Sequence, residues 1–294
     1  LLYRETEFLN VVAALSSTWA AYPAQTLNEG WKILLRNQFH DILPGSSIHE
    51  VYEDSREEYR GAERLVNKAR ERAIKALVQA ESPRSFTVVN DASWQRTALV
   101  RIPAAAGLNR GTWTDEAGEV LDTALSDNHW LIKVNRVPAM GFSVIHFHPD
   151  GPSPKKKEPF TTTEFTAETP FYFLEWNDKG QLTRLYDRRA GREVLAENGR
   201  GNVLQVFEDK PLRFDAWDID LFYQEKMTEV TAIQKIEVVE VNALRAVIQM
   251  TWDYQHSRIK QNMVLYANSP RIDFETEVDW HEHHQLLKVA FPVA

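Results

Sequence analysis

The chain of 294 residues contains no cysteine. That excludes a disulfide framework, a thiolate metal centre and a cysteine nucleophile, and it suits a reducing compartment. No apolar run approaches the ~20 residues that span a bilayer. Glycine is scarce, at 12 residues, and none of it forms a phosphate-cradling loop, a dinucleotide fingerprint or a serine elbow. Basic residues are outnumbered, 34 Lys and Arg against 42 Asp and Glu, for a net charge of −8. A nucleic acid or an anionic membrane surface is therefore not an expected partner. The opening Leu1-Leu2-Tyr3-Arg4-Glu5 brings charge before any apolar stretch, so it is not a signal peptide, and there is no initiator Met.

What is present is a globular composition, 43% hydrophobic and 26% charged. At roughly 100–200 residues per domain this predicts two or three domains with cores of their own. Helical spacing dominates the first 80 or so positions. Phe8, Val12 and Leu15 recur at intervals of three and four, and Leu27, Trp31, Leu34 and Leu35 line a second helix that must end before Pro44-Gly45. Ser47-Ile48-His49-Glu50 has the form of a capping box opening a third helix. The stripe of that helix is Ile48, Val51, Tyr52, Ser55, Tyr59, Ala62, Val66, Ala69, Ala73 and Leu77. At 1.5 Å per residue it extends about 45 Å, so the two shorter helices are its expected partners.

After Pro83 the period changes to that of strands. Phe86–Asn90, Ala98–Ile102, His129–Val134 and Phe142–Phe147 predict a small β-sandwich, and the segment Gly151–Pro159, with three prolines and a lysine run, reads as a linker. Beyond it Glu168–Glu175, Leu182–Tyr186, Val203–Phe207, Thr228–Val241, Ala243–Tyr254, Ile259–Tyr266 and Arg271–Val278 predict a large antiparallel sandwich. The expected class is thus α+β and multidomain: a three-helix bundle at 1–82, a small β-sandwich domain at 84–150, and the start of a large β-sandwich at 160–294. Both ends read as cut, which predicts a piece of a longer protein.

Four places hold side chains suited to chemistry. In Asn37-Gln38-Phe39-His40-Asp41-Ile42-Leu43-Pro44-Gly45 a His-Asp pair sits in a turn between two helices, where rigid flanks fix the backbone. His40 could offer a neutral imidazole to a metal and Asp41 could accept hydrogen bonds from hydroxyls; alternatively Asp41 caps a turn and His40 covers the helix end. In Trp280-His281-Glu282-His283-His284, a strand would point His281 and His283 to one side, a geometry open to zinc but equally to a solvated face. His146 and His148 alternate with Ile145 and Phe147, which predicts apolar residues inside and both histidines outside. Asp215, Asp218 and Asp220 stand among Phe214, Trp217 and Tyr223, which suits either a sugar surface or a hydrogen-bonded sandwich edge.

The segment Trp31 to Ile48, with Asn37-Gln38-Phe39-His40-Asp41-Ile42-Leu43-Pro44-Gly45-Ser46-Ser47 and the following Glu50-Val51-Tyr52-Glu53-Asp54, closely resembles glycoside hydrolase family 38. It is most similar to the cytosolic and bacterial α-mannosidases of that family. Phe207-Glu208-Asp209-Lys210-Pro211, the stretch from Phe214 to Tyr223, and Arg271 to Trp280 resemble the family's C-terminal sandwich, in the family's order. The resemblance implies a zinc-dependent, retaining exo-α-mannosidase acting on mannose-containing oligosaccharides or glycosides, in the cytoplasm. It implies that His40 is a zinc ligand and Asp41 a contact to mannose hydroxyls. The nucleophile, the acid and the other ligands would lie in an N-terminal barrel that matches nothing here, so the chain alone should be inert. Its barrel-facing helical surface should be exposed, leaving it to associate with itself or with that barrel. The competing expectation is a non-catalytic carbohydrate-binding or scaffold module using Asp215, Trp217, Asp218 and Asp220.

Overall fold

The computed structural model describes residues 1–78, 82–105, 107–149, 151, 159–215 and 217–294. Most of the linker read at Gly151–Pro159 lies outside them. The chain divides into two compact units, Leu1–Val100 with Ala105–Leu121 and Lys133–Pro152, and Arg101–Ala104 with Asp122–Ile132 and Ser153–Ala294. Among the described residues no helix is long and apolar enough to cross a membrane.

The first unit opens with α1 (Leu2–Leu15), α2 (Ala24–Arg36) and α3 (His49–Leu77). Their shared core is Tyr3, Leu27, Ala62, Val66 and Ala69, flanked by Leu34, Ile33 and Trp31. Alanines at every turn or two of α3 leave room for the neighbouring helices, so Tyr3 reaches in and its hydroxyl donates to Ala62 O at 2.6 Å. The buried face of α1 differs from the expected one. It is Tyr3, Thr6, Leu9, Asn10 and Ala14, whereas Leu15 is 69% exposed. Thr6 and Asn10 have helical spacing too, but they are polar. Asn10 is accommodated because its amide donates to Thr6 O at 2.8 Å and Ala69 O at 3.4 Å. The expected capping box is absent as well. Ile48 is the N-cap of α3, with no side-chain cap, because the Ser47 hydroxyl is committed to the Asp41 carbonyl.

Two three-stranded antiparallel sheets follow. One runs β1-β6-β3, built from β1 (Ser85–Asn90), β6 (Gly141–His148) and β3 (Thr112–Asp115). The other runs β2-β5-β4, from β2 (Arg96–Pro103), β5 (His129–Val137) and β4 (Thr123–Ser126). The β6 alternation is as expected: Ile145 and Phe147 are buried, while His146 Nδ1 lies 2.9 Å from Ser85 Oγ and His148 Nε2 3.0 Å from Thr114 Oγ1. Trp113 fills the space between the Phe86 and Phe147 rings, at 5.4 and 5.1 Å.

The second unit contains three further antiparallel sheets. Their orders are β11-β10-β9-β8-β7, β13-β12-β18 and β14-β15-β16-β17. The first comprises β7 (Thr161–Thr162), β8 (Thr166–Glu168), β9 (Tyr172–Trp176), β10 (Leu182–Asp187) and β11 (Arg192–Glu193). The second holds β12 (Val203–Glu208), β13 (Met227–Glu229) and β18 (Gln285–Ala290), and the third β14 (Ile233–Val241), β15 (Arg245–Tyr254), β16 (Ser257–Tyr266) and β17 (Ile272–Asp279). The core gathers Leu174, Trp176, Leu182, Ile248, Met250, Trp252 and Met263, and the Trp252 indole N–H donates to Lys179 O at 2.9 Å.

Two expected strands are each two. Glu168–Glu175 is broken at Thr169-Pro170-Phe171, where Thr169 Oγ1 accepts from the Phe171 and Tyr172 amides. Thr228–Val241 is divided between β13 and β14, which belong to different sheets, and between them Val230 donates its amide to Leu204 O.

A polar cluster ties this unit together. Arg200 grips Glu229 with two bonds of 2.7 and 3.0 Å, and Gln181 donates to the same carboxylate at 2.9 Å. The Arg200 hydrogen bonds, with that of Gln181, hold the Glu229 carboxyl below its ordinary range, although burial opposes them. A carboxyl depressed on folding contributes stability that is complete above its unfolded value and is lost as pH falls through the folded one. Glu229→Gln is therefore expected to destabilise the unit at pH 7 and to flatten the decline of its melting temperature below about pH 4.5. Calorimetric melts of both proteins across pH 3–7 check this, and parallel curves would exclude it.

Candidate functional site

The His40-Asp41 turn is held at both ends. Asn37, 2% exposed, closes α2; its amide donates to Ile33 O at 3.0 Å and to Glu58 of α3 at 2.6 Å. Arg36 pairs with the same carboxylate, so the end of α2 is fixed against α3. The chain then turns twice. Ile42 N donates to Phe39 O at 2.9 Å, and Gly45 N to Ile42 O at 3.2 Å. Gly45 has φ of +90°, a conformation glycine adopts without steric cost. At the far end the Asp41 carbonyl accepts from Ser47 Oγ at 2.7 Å and Ser46 Oγ at 3.3 Å. The Tyr52 hydroxyl accepts from Ser47 N at 3.0 Å and faces the Asp41 and Ile42 carbonyls at 3.4 and 3.3 Å.

This backbone net frees the Asp41 side chain from holding the turn. Its Oδ1 is buried and has no hydrogen-bond partner among the described residues, with His40 Nε2 at 3.5 Å. His40 is 75% exposed and its ring lies beside that of Phe39, centroids 4.2 Å apart. The turn therefore sets an outward imidazole beside a carboxylate oxygen that no described residue engages in a hydrogen bond. That donor set fits zinc, which takes imidazole nitrogen and carboxylate oxygen, but a site normally needs about three protein ligands plus water. Among the described residues no three or more His, Asp or Glu are grouped to hold a metal ion. His40 and Asp41 thus suit part of a site rather than a whole one. Around them Leu35, Phe39, Leu43 and Ile48 are exposed, an apolar rim of the kind that marks an interaction surface.

The positioning residues Asn37, Glu58 and Tyr52 were not legible as such in the sequence. Asn37 stands within the motif and Tyr52 within the stripe of α3, but nothing in their spacing announces the bonds. Ser47→Ala is expected to cost about 1 kcal/mol, the value of one such bond, and to speed amide exchange across 41–47. Hydrogen-exchange mass spectrometry reads both, and unchanged protection would show that the serine does not hold the turn.

The histidines after Trp280 are not arranged as expected. β17 ends at Asp279, so His281 and His283 are on a loop and the same-side strand geometry does not exist. His281 pairs instead with Asp279 Oδ1 at 3.0 Å. Glu282 is a clasp, accepting from His256 N at 2.8 Å and Ser257 Oγ at 2.9 Å. The Trp280 ring lies parallel to Tyr254, centroids 5.9 Å apart. Asp215, Trp217, Asp218 and Asp220 are in no strand. Asp220 Oδ2 accepts from Leu212 N at 2.9 Å, and the chain passes into a short 3₁₀ turn at Leu221–Glu225.

The amino-acid sequence matches two family descriptions, "Alpha mannosidase middle domain" over residues 1–77 and "Glycosyl hydrolases family 38 C-terminal domain" over residues 167–294. The chain belongs to glycoside hydrolase family 38. Within that family it is 29% identical to Alpha-mannosidase 2C1 of Homo sapiens, over 99% of this chain and 27% of that protein. It is 25% identical to Alpha-mannosidase G of Dictyostelium discoideum, over 91% of this chain and 28% of that protein. The chain thus spans about a quarter of the length of these curated relatives. Its fold is similar to the crystal structure of an alpha-mannosidase from Enterococcus faecalis V583, with a TM-score of 0.75 at 14% identity, over 98% of this chain and 40% of that one. The segment matched at 1–77 carries His40 and Asp41.

Proposed function

We propose that this family 38 chain is part of a zinc-dependent, retaining exo-α-mannosidase that hydrolyses terminal α-mannosyl residues of oligosaccharides or glycosides. His40 would hold the zinc ion as one of its ligands, and Asp41 would accept hydrogen bonds from mannose hydroxyls. Bound zinc supplies a fixed positive charge that orients the sugar through its hydroxyls. The work of this chain is positional: the Asn37, Ser47 and Tyr52 bonds set the turn, so the imidazole and carboxylate need no reorganisation when sugar arrives. The nucleophile, the acid and the remaining zinc ligands belong to an N-terminal barrel of the parent. Two carboxylates flanking the bond closely accomplish retention. Packing of that barrel would cover the rim of Leu35, Phe39, Leu43 and Ile48. A cytoplasmic setting accords with the absence of cysteine.

The observation that carries this reading is the buried, unpartnered Asp41 Oδ1 beside an outward imidazole. The purified chain with added zinc is expected to leave p-nitrophenyl α-mannoside intact, while the intact parent hydrolyses it. Turnover by the chain alone would place a complete active site within these residues and overturn the assignment. One observation favours a second reading, a carbohydrate-binding module: Trp217 is 61% exposed beside Asp215 and Asp218. Metal-free binding of mannosides by this chain, abolished by Trp217→Ala, would select it.

A further inference from the structure

The second unit holds a cleft of about 240 Å³ that the mannosidase reading does not use. Strands β12, β13 and the start of β18 form its floor, and its walls carry Glu208, Lys210, Lys226, His283 and His284. The ladder fixes these positions, with Glu208 opposite Gln285 and Phe207 opposite both Leu286 and Met227. Lys226 Nζ lies 3.0 Å from Glu208 Oε1 and Lys210 Nζ 3.3 Å from Oε2. Among the residues lining the cleft, two ammonium groups therefore face one carboxylate. Hydrogen bonds from Lys226 and then Lys210 hold the Glu208 carboxyl below its ordinary range.

The two histidines add donors that nothing occupies. No hydrogen bond or ion pair joins the imidazole of His283 or His284 to another described residue. The backbone at His284 is left-handed, φ +54°, which is unusual for a non-glycine residue, and its carbonyl accepts from Asp209 N at 2.8 Å. Strain of this kind persists where the surroundings enforce it, and it clusters at functional sites. Tyr254, whose hydroxyl donates to Gln285 Oε1 at 2.8 Å, lines the cleft with Phe207 and gives it aromatic walls. A volume below the ~300 Å³ of the smaller drug-sized pockets limits the ligand to a few heavy atoms beyond its charged group.

We propose that this cleft binds a small oxyanion, the phosphate or carboxylate of a low-mass metabolite, which draws Lys210 and Lys226 from Glu208 and accepts hydrogen bonds from His283 and His284. Glu208 is then an internal competitor that occupies the lysines when no ligand is present. The assignment does not depend on the mannosidase reading, because no residue of the His40-Asp41 turn takes part.

The test is an NMR titration of the imidazole resonances of the full chain, assigned with His283→Gln, using inorganic phosphate and separately acetate at constant ionic strength. Saturable shifts are expected, with Kd on the order of 1 mM for exposed, screened lysines. Lys226→Met should weaken binding about tenfold, the loss of one charge-assisted hydrogen bond. Glu208→Gln should tighten it several-fold, because the competing carboxylate is gone. A purely structural ion-pair cluster would not show that opposite response. Saturation by phosphate alone assigns a phosphate ligand, and saturation by acetate alone a carboxylate. Linear shifts with both ions, or no tightening in a Glu208→Gln protein whose melting curve is intact, would overturn the proposal.

Discussion

His40→Ala in the intact parent is expected to lower kcat/KM for p-nitrophenyl α-mannoside on the order of a thousandfold and to leave the enzyme deficient in zinc. Loss of a residue that merely orients a metal ligand costs about 10- to 100-fold, and loss of a ligand itself removes both affinity and the charge that orients the sugar. Stability should scarcely change, because His40 is 75% exposed and, among the described residues, its only ion-pair contact is Asp41 at 3.5 Å. This separates the functional role from a structural one. Zinc content by mass spectrometry and a thermal melt accompany the kinetics. Full zinc occupancy with normal turnover in the variant would remove His40 from the site. Asp41→Asn should raise KM, since an amide oxygen is a poorer acceptor than a carboxylate for sugar hydroxyls, with zinc content less affected.

Gly30→Ala carries the largest expected effect on stability. Propensity argues for the change, as alanine favours a helix interior over glycine by about 1 kcal/mol. Packing argues against it more strongly. A Cβ on Gly30 would fall 1.7 Å from the Tyr3 hydroxyl oxygen and 2.4 Å from its ring carbon Cζ. Tyr3 cannot simply withdraw. Its hydroxyl is bonded to Ala62 O, and its ring packs on Trp31 at 5.3 Å between centroids. Displacing it forfeits a buried hydrogen bond, about 1 kcal/mol, and leaves poor packing at the centre of the bundle. The expected net loss is about 3 kcal/mol, read by denaturant unfolding followed at the helical circular-dichroism band. Tyr3→Leu should make the same substitution far better tolerated. If Gly30→Ala is neutral in the Tyr3 background, the close crossing of α1 and α2 is wrong. Because α2 carries the turn with His40, the variant should also lose activity in the parent.

Much of this molecule is legible in its sequence. The long third helix follows from one apolar stripe, since a 3.6-residue period sustained over 29 residues has no other solution. The inward Ile145 and Phe147 and the outward His146 and His148 follow from the two-residue period of a strand. The His40-Asp41 motif is visible as a turn between helices. These features are local, and their patterns reside in neighbouring residues. The remainder depends on partners distant along the chain. Asn10 is buried because Ala69, 59 positions beyond it, accepts a hydrogen bond. Ser47 serves the Asp41 carbonyl rather than a cap, and the run from Thr228 stays on β12 as far as Val230, whose amide donates to Leu204 O, before β14 joins another sheet. The histidines after Asp279 are on a loop held by Glu282, His256 and Ser257. Periodicity states which face of an element can be buried. Which hydrogen bonds compete for each polar group, and therefore where elements end and how side chains are used, is settled only when distant segments meet.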